Sequence, residues 1–270
     1  MLSALLIVFR EVIEAGLIVG IVLAATQGVP RRTRFVLLGI VGGVLGAMLV
    51  AAFAGELAGL FEGSGAELFN AAILGIAVIM LTWHNVWMAS HGRQMARELK
   101  EAGHEVATGQ RTLSALAIVV GVAVLREGSE VVLFLYGIVA QGGTSAAGIV
   151  TGGALGMLAG AAISVLMYLG LLSIPAHRLF QVTSGLIMLL AAGMAAQAVL
   201  FLQNGGYINI FNDTLWDSSG LLSEDSIPGK LMHTLIGYVQ APDGAQLIAY
   251  IAVIAMMLVL MRLFGKPKTA

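Results

Sequence analysis

Two short motifs place charged side chains inside apolar stretches of this 270-residue chain. They are Arg10-Glu11-x-x-Glu14 and Arg126-Glu127-x-x-Glu130. On an α-helix, residues three and four positions apart lie on one face, so each motif presents one guanidinium and two carboxylates together. Carboxylate oxygens are the ligands that hard cations prefer. If the two faces meet, we expect the four glutamates to bind a metal cation and the two arginines to orient them.

The number of acids favours this interpretation over a purely structural one. A charge at the centre of a membrane helix costs about 2.5–3.5 kcal/mol, so six such groups must face the protein interior or water and pair. The alternative is an ion-pair clasp, in which Arg10 and Arg126 hold the glutamates only to fix the register of two helices. Four acids against two bases leave a surplus of carboxylate that a clasp does not need, which favours a cation pathway.

The composition is that of a multi-pass membrane protein. Hydrophobic residues make up 59% of the chain and charged residues 11%, with a mean hydropathy of +0.94. A typical soluble domain has about 25% charged residues. The absence of cysteine excludes disulfides, thiolate metal sites and a cysteine nucleophile. The first residues, MLSALLIVF, have no basic segment, so we do not expect a cleaved signal peptide.

Apolar stretches of about 20 residues are long enough to cross a membrane. They predict an all-α polytopic membrane protein with seven transmembrane helices. The predicted spans are 2–26, 35–60, 67–89, 113–140, 145–172, 178–203 and 243–264. Both charged motifs lie near the middle of their spans, the first and the fourth.

Charge sorts the connections into two sets. Eleven of the 14 lysines and arginines fall in alternate connections and in the C-terminal tail: Arg31, Arg32, Arg34, Arg93, Arg97, Lys100, Arg111, Arg178, Arg262, Lys266 and Lys268. The remaining connections carry one lysine among acids: Lys230 with Glu56, Glu62, Glu67, Asp213, Asp217, Glu224, Asp225 and Asp243. Cytoplasmic loops collect lysine and arginine. We therefore expect the N-terminus outside and the C-terminus inside.

The first three spans resemble the next three. Besides the two charged motifs, VGGVLGAML at 41–49 is similar to TGGALGMLA at 151–159. Three spans are an odd number, so the second copy would be inverted, as in many secondary transporters with a midplane substrate site. The predicted organisation has four parts. Residues 1–110 form the first three-helix repeat and 111–203 the second, inverted repeat. Residues 204–242 form an outer loop, and 243–270 form the seventh helix with a basic cytoplasmic tail.

Other polar residues are weaker candidates. Glu56, Glu62 and Glu67 form either a cation-collecting outer vestibule or an ordinary solvated loop. In the outer loop, Ser226 is expected to cap a short amphipathic helix that lies across the outer surface. His84 lies near the inner end of the third span, where a lone histidine is more often a packed or capping residue.

The paired motifs, with stretches such as MLTWHNVWM at 80–88 and LWDSSGLLSEDS at 215–226, resemble the high-affinity iron permease family. This oxidase-dependent iron transporter family includes fungal permeases that work with a multicopper oxidase and bacterial Efe-type iron uptake permeases. The resemblance covers nearly the whole chain. It implies iron import, with iron as the transported substrate and no resident cofactor. The implied ligands are the motif glutamates, namely Glu11, Glu14, Glu127 and Glu130.

The same resemblance implies further properties. The location would be the plasma membrane, the inner membrane in a bacterium, with lipid rather than nucleic acid as the surrounding partner. No large extracellular domain precedes the first span, so a separate extracytoplasmic protein would oxidise or deliver the iron. One position departs from the family pattern: the third motif residue is usually glycine, as at Gly128, but is Val12 in the first motif.

Three other functions remain open from the residues alone. A carrier of another divalent cation, such as Mn²⁺ or Pb²⁺, would use the same ligands. A membrane di-iron enzyme is disfavoured because such sites use Glu-x-x-His pairs, and neither motif has a histidine at that spacing. A proton-conducting or purely assembling membrane protein is the third.

Overall fold

The computed structural model describes residues 1–59, 66–141, 145–171 and 176–264. Within those ranges the chain is helical, apart from irregular connections and one isolated β-bridge between Thr214 and Asp243. The helices are α1 (Leu2–Ala25), α2 (Arg32–Gly59), α3 (Ala66–Ala107), α4 (Ser114–Gln141), α5 (Ala146–Tyr168), α6 (Ala176–Asn204), α7 (Ile227–Ile236) and α8 (Gly244–Phe264). The predicted all-α fold is confirmed for the described residues.

Among the described residues, five helices are long and apolar enough to cross a membrane. Their spanning parts are Arg32–Phe53, Glu67–Met88, Ala146–Tyr168, Gln181–Asn204 and Gly244–Phe264. The two remaining predicted spans, α1 and α4, have 24 and 28 residues and are long enough, but each carries the three charges of its motif. The count of seven spans and their orientation therefore stay predictions.

Helix α3 is longer than its sequence pattern indicated. The predicted span ended at residue 89 and was followed by a basic loop, but the helix continues to Ala107, for 42 residues in all. The prediction of a loop was wrong because it was based on the polarity of residues 90–107, and a polar segment can still be helical. They are rich in Ala, Arg, Glu, Lys and Gln, which are strong helix formers, and Gln94 donates a hydrogen bond to Glu98 one turn later.

The most extensive helix contacts join α1 to α5, α2 to α4, and α3 to α6. In the first two pairs, glycines bring the backbones together. A Cβ atom added to Gly156 of α5 would lie 2.5 Å from the Leu5 carbonyl oxygen of α1. One added to Gly43 of α2 would lie 2.7 Å from the Gly121 carbonyl oxygen of α4. Small residues allow such close approach in membrane helices. If α1, α2 and α3 correspond to α4, α5 and α6, the pair α1–α5 is equivalent to the pair α4–α2, and α3 pairs with its own equivalent, α6. This pattern agrees with a repeat, but the inverted repeat stays a prediction.

The predicted short helix in the segment after α6 is present as α7. The Ser226 side chain caps it by accepting a hydrogen bond from the Gly229 backbone N–H, at 3.1 Å. Gly237 ends the helix with a φ of 67°, a conformation that glycine adopts readily. The helix does not simply lie across the surface, because it packs against α6 and α1. Gly237 contacts Gly193 of α6, and the Tyr250 hydroxyl donates a hydrogen bond to the Ile236 carbonyl.

The contact between Gly193 and Gly237 gives a test of this arrangement. A Cβ atom at Gly193 would lie 2.5 Å from the Gly237 Cα atom, so Gly193→Ala should push the end of α7 away from α6. We expect the free energy of unfolding in detergent to fall by about 1–3 kcal/mol, the usual cost of overpacking. Gly185→Ala on the same helix is the matched control, because its added methyl group meets nothing within 4 Å. Equal thermal unfolding of the two variants would contradict the predicted contact.

Candidate functional site

The two charged motifs meet inside the helix bundle. Helix α1 carries the first motif and packs against α4, which carries the second. Arg10 and Glu11 are 1% exposed, and Glu14 and Glu127 are 3% exposed. The Glu130 side chain is 14% exposed. All four predicted glutamates therefore lie in or at the edge of one buried cluster.

Arg10 pairs with both glutamates of its own motif. Its Nη1 atom donates a hydrogen bond to Glu11 Oε1 at 3.1 Å, and its Nη2 atom lies 2.8 Å from Glu14 Oε1. The spacing of the motif on one helical face makes both contacts possible. Arg10 is the largest of the fully buried side chains in the described part of the chain. It therefore acts as a fixed positive charge within the cluster.

Arg126 has a different environment from Arg10. Its Nε atom donates a hydrogen bond to Glu130 Oε1 at 3.1 Å and lies 3.9 Å from Glu127 Oε1. The side chain is 37% exposed, and its guanidinium carbon lies 4.2 Å from the centre of the Trp87 ring. That separation is within the range of a cation–π contact. The two motifs have equivalent sequences but not equivalent arginines.

His84 of α3 lies between the two motifs. It is a packed side chain, as interpreted, but it faces the carboxylates of both motifs rather than capping a helix end. The side chain is 3% exposed, and its Nε2 atom lies 3.3 Å from Glu14 Oε2 and 4.0 Å from Glu11 Oε2. Its Nδ1 atom contacts Glu130 Oε2. A signal was present in the sequence: Thr82, His84 and Asn85 are three polar residues within an apolar span, and such residues usually face a bundle interior.

Asn85 fixes the part of α3 that carries the histidine. It is 1% exposed, and its Nδ2 atom donates a hydrogen bond to the Ser184 carbonyl of α6 at 3.2 Å. A hydrogen bond between two helices inside a membrane protein limits both rotation and sliding. This hydrogen bond fixes the register of α3 against α6 at the residue next to His84.

The cluster has the donor atoms that a metal ion requires. Glu11, His84, Glu127 and Glu130 can each supply one ligand atom, and these four atoms lie within 4.8 Å of one another. Each of the four motif glutamates also has at least one buried oxygen that accepts no hydrogen bond. Buried polar atoms are normally paired. Such a set of oxygen and nitrogen donors is suited to a divalent transition-metal ion.

Apolar side chains lie on both sides of this cluster along the helix axes. On the side where α1 begins, a core of buried residues includes Ile7, Leu81 and Phe134. On the side where α1 ends, a smaller core includes Val22 and Val120. The charged groups therefore occupy a polar layer between two apolar layers.

The departure at Val12 has a local explanation. A Cβ atom added to Gly160 of α5 would lie 3.0 Å from the Val12 Cβ atom, so glycine in α5 makes room for the valine in α1. In the second motif, a Cβ atom on Gly128 would lie 2.6 Å from the Ala47 Cβ atom of α2. In the first motif the larger residue, Val12, is on the motif helix and the glycine is on its partner. In the second motif the glycine, Gly128, is on the motif helix and the larger residue is on its partner. Both helix pairs therefore keep close contact.

This exchange predicts the effect of placing valine in the second motif. Gly128→Val should collide with Ala47 and lower the free energy of unfolding by about 1–3 kcal/mol, because a well-packed helix pair cannot accept extra methyl groups. The double variant Gly128→Val with Ala47→Gly should recover most of that loss. Thermal unfolding of the purified protein in detergent measures both effects. A double variant no more stable than the single one would contradict the assigned contact.

Glu67, the predicted vestibule residue whose side chain the structure describes, is not part of this cluster. Glu67 lies in the first turn of α3 and is half-buried, with one buried oxygen that accepts no hydrogen bond. Glu56 lies in α2, and its side chain is outside the described part of the structure, as is the whole of Glu62. Lys266 and Lys268 of the predicted basic tail also lie outside the described residues. The vestibule stays a prediction.

Comparison with known proteins gives the family. Residues 1–265 match the family described as iron permease FTR1. The chain belongs to the FTR1 iron permease family. It is 33% identical over 247 residues to the ferrous iron permease EfeU of Escherichia coli O6:H1, covering 89% of this chain and 88% of that protein. Identity to the ferrous iron permease EfeU of Yersinia pestis is 30% over 248 residues, covering 91% and 87%.

Membership of the FTR1 family confirms the resemblance seen in the two motifs. Together with the long apolar helices, it identifies the chain as a multi-pass membrane protein with the bacterial inner membrane as its location. The relatives are permeases by name, which points to a transporter rather than an enzyme. No solved structure matches the chain.

Proposed function

We propose that this FTR1 family member imports iron, and that the ion crosses the membrane through the buried glutamates of the two motifs. The observation that carries the proposal is the close approach of Glu11, Glu127 and Glu130 from two different helices, with ligand atoms within 4.8 Å. Glu14 lies beside them and pairs with Arg10. An ion entering this layer exchanges its water ligands for carboxylate oxygens.

We infer that Fe²⁺ is the transported form because the relatives are named as ferrous iron permeases. With all four glutamates and both arginines ionised, the two motifs carry a formal charge of −2, which a divalent ion neutralises.

The proposed topology is seven spans with the N-terminus outside, formed by two inverted three-helix repeats and α8. The apolar layers on either side of the glutamates would then part in turn, so that the ion reaches the site from outside and leaves to the cytoplasm. A separate extracytoplasmic protein would deliver the iron, and the acidic residues Glu56, Glu62 and Glu67 would attract it electrostatically.

Uptake by the purified protein tests the proposal. The chain is reconstituted into liposomes, and the entry of radiolabelled iron is measured with ascorbate, which keeps it ferrous, and with ferric citrate. We expect protein-dependent uptake of Fe²⁺ that exceeds uptake of Fe³⁺ and that stops when an impermeant ferrous chelator is added outside. Liposomes with protein that take up no more iron than empty ones would refute the function.

A further inference from the structure

His84 has a position that the four-glutamate pathway does not explain. Its two ring nitrogens face opposite motifs, since Nε2 is 3.3 Å from Glu14 Oε2 of α1 and Nδ1 contacts Glu130 Oε2 of α4. It is the member of the candidate metal cluster that comes from neither charged motif. It lies on a third helix, α3, which is held against α6 by the hydrogen bond from Asn85 to the Ser184 carbonyl.

A packing role does not account for this placement. The ring is 97% buried, because its exposed fraction is 3%, and both of its nitrogens face carboxylates of the two motifs. Carboxylate oxygens of Glu11 and Glu14 lie near Nε2, and a carboxylate oxygen of Glu130 lies at Nδ1. A buried histidine with a purely structural role usually donates to a backbone carbonyl or a hydroxyl. This ring is directed into the cluster instead.

The distances permit the imidazole and a carboxylate to bind the same ion. Nitrogen and oxygen ligands lie about 2.0–2.2 Å from a divalent transition metal, so two of them are at most about 4.4 Å apart. His84 Nε2 and Glu11 Oε2 are separated by 4.0 Å. An ion between them would therefore need only small side-chain adjustments to contact both.

We propose that His84 is a ligand of the transported ion and that it sets the choice of metal, an inference that rests on the proposed function. Carboxylates alone suit Mg²⁺, Ca²⁺ and Mn²⁺, whereas imidazole suits iron, zinc, copper and nickel. One nitrogen among carboxylate oxygens therefore favours Fe²⁺ and similar transition ions over the far more abundant Mg²⁺ and Ca²⁺. As a neutral donor, the ring adds this preference without changing the net charge of −2.

X-ray absorption at the iron edge tests the ligand directly. Purified protein is loaded with one equivalent of Fe²⁺, and the extended fine structure is examined for the multiple scattering that a coordinated imidazole ring produces. We expect this signature in the wild type and in His91→Asn, an exposed histidine seven residues further along α3. We expect its loss in His84→Asn, which replaces the ring nitrogen with a neutral amide oxygen.

Competition in the liposome assay tests the selectivity. In the wild type, Co²⁺ and Zn²⁺ should inhibit Fe²⁺ uptake at concentrations where Ca²⁺ has no effect. In His84→Asn the preference for Fe²⁺ over Ca²⁺ should fall by about tenfold or more, the lower range for disturbing a metal site. His91→Asn should keep the wild-type order of competitors.

The outcomes separate this inference from the proposed function. A wild type that transports iron, but shows no imidazole signature and the same competitor order as His84→Asn, would overturn the role of His84 and leave the permease function intact. A wild type that transports no iron would instead refute the proposed function. Wild-type iron transport, the imidazole signature and its loss in His84→Asn, and the expected change in competitor order would together support the inference.

Discussion

Replacing Glu127 with glutamine is expected to abolish iron uptake while leaving the protein folded. Glutamine has the same shape but lacks the charge and binds cations weakly. We expect uptake to fall at least about 100-fold, because mutating even an outer-shell partner of a metal ligand can cost that much. Glu127 is 3% exposed, and its Oε2 atom accepts no hydrogen bond. Its nearest arginine contact is with Arg126 Nε, at 3.9 Å. Removing its charge therefore breaks no close ion pair.

This substitution separates the cation pathway from the ion-pair clasp. A clasp requires carboxylates that hold arginines, and Glu127 is the motif glutamate that holds one most weakly. If the cluster were only a clasp, Glu127→Gln would leave uptake near the wild-type value. Glu101→Gln, on the exposed continuation of α3, is the matched control and should transport normally. Uptake in liposomes, normalised to the amount of inserted protein, measures both variants.

Replacing Arg10 with glutamine is expected to cause the largest loss of stability among single substitutions in the two motifs. The guanidinium is 1% exposed and lies 3.1 Å and 2.8 Å from the carboxylates of Glu11 and Glu14. Removing one partner of a buried ion pair leaves an uncompensated buried charge, which costs about 3–5 kcal/mol. We expect a correspondingly lower thermal unfolding temperature in detergent and less folded protein in the membrane.

The second motif supplies the matched control for Arg10. Arg126 occupies the same motif position but is 37% exposed, and exposed ion pairs contribute about 0–1 kcal/mol. Arg126→Gln should therefore lower stability by much less than Arg10→Gln, although loss of the contact with Trp87 adds a small effect. Equal destabilisation by the two substitutions would contradict the difference in burial between the motifs.

The sequence could predict the candidate site in part, because helix periodicity fixes the relation between residues three and four positions apart. It brought Arg10 together with Glu11 and Glu14, and it indicated that two such faces would meet. His84 could not be found in this way. Its relation to Glu14 and Glu130 depends on how α3 crosses α1 and α4, and no periodicity within one helix records that crossing. A run of polar residues in an apolar span was the available signal.

The helices themselves were predictable where apolar length decides the structure. The start of α3 and most of α8 follow from hydropathy, and α7 follows from the Ser226 cap. The second half of α3 was missed because hydropathy detects the membrane boundary rather than the end of a helix. The difference between Arg10 and Arg126 could not be predicted either, because the burial of Arg10 and the contact of Arg126 with Trp87 depend on how the helices pack.

The close glycine contacts have a consequence for how the bundle can move. Where backbones touch, as between Gly156 and Leu5 or between Gly43 and Gly121, two helices cannot separate or rotate independently without losing many contacts at once. We therefore expect α1 with α5, and α2 with α4, to move as two rigid pairs, each carrying one charged motif. The motifs face each other where α1 meets α4, so a tilt of one pair against the other would change the distances between the carboxylates of the two motifs and leave the ion pairs within each motif intact.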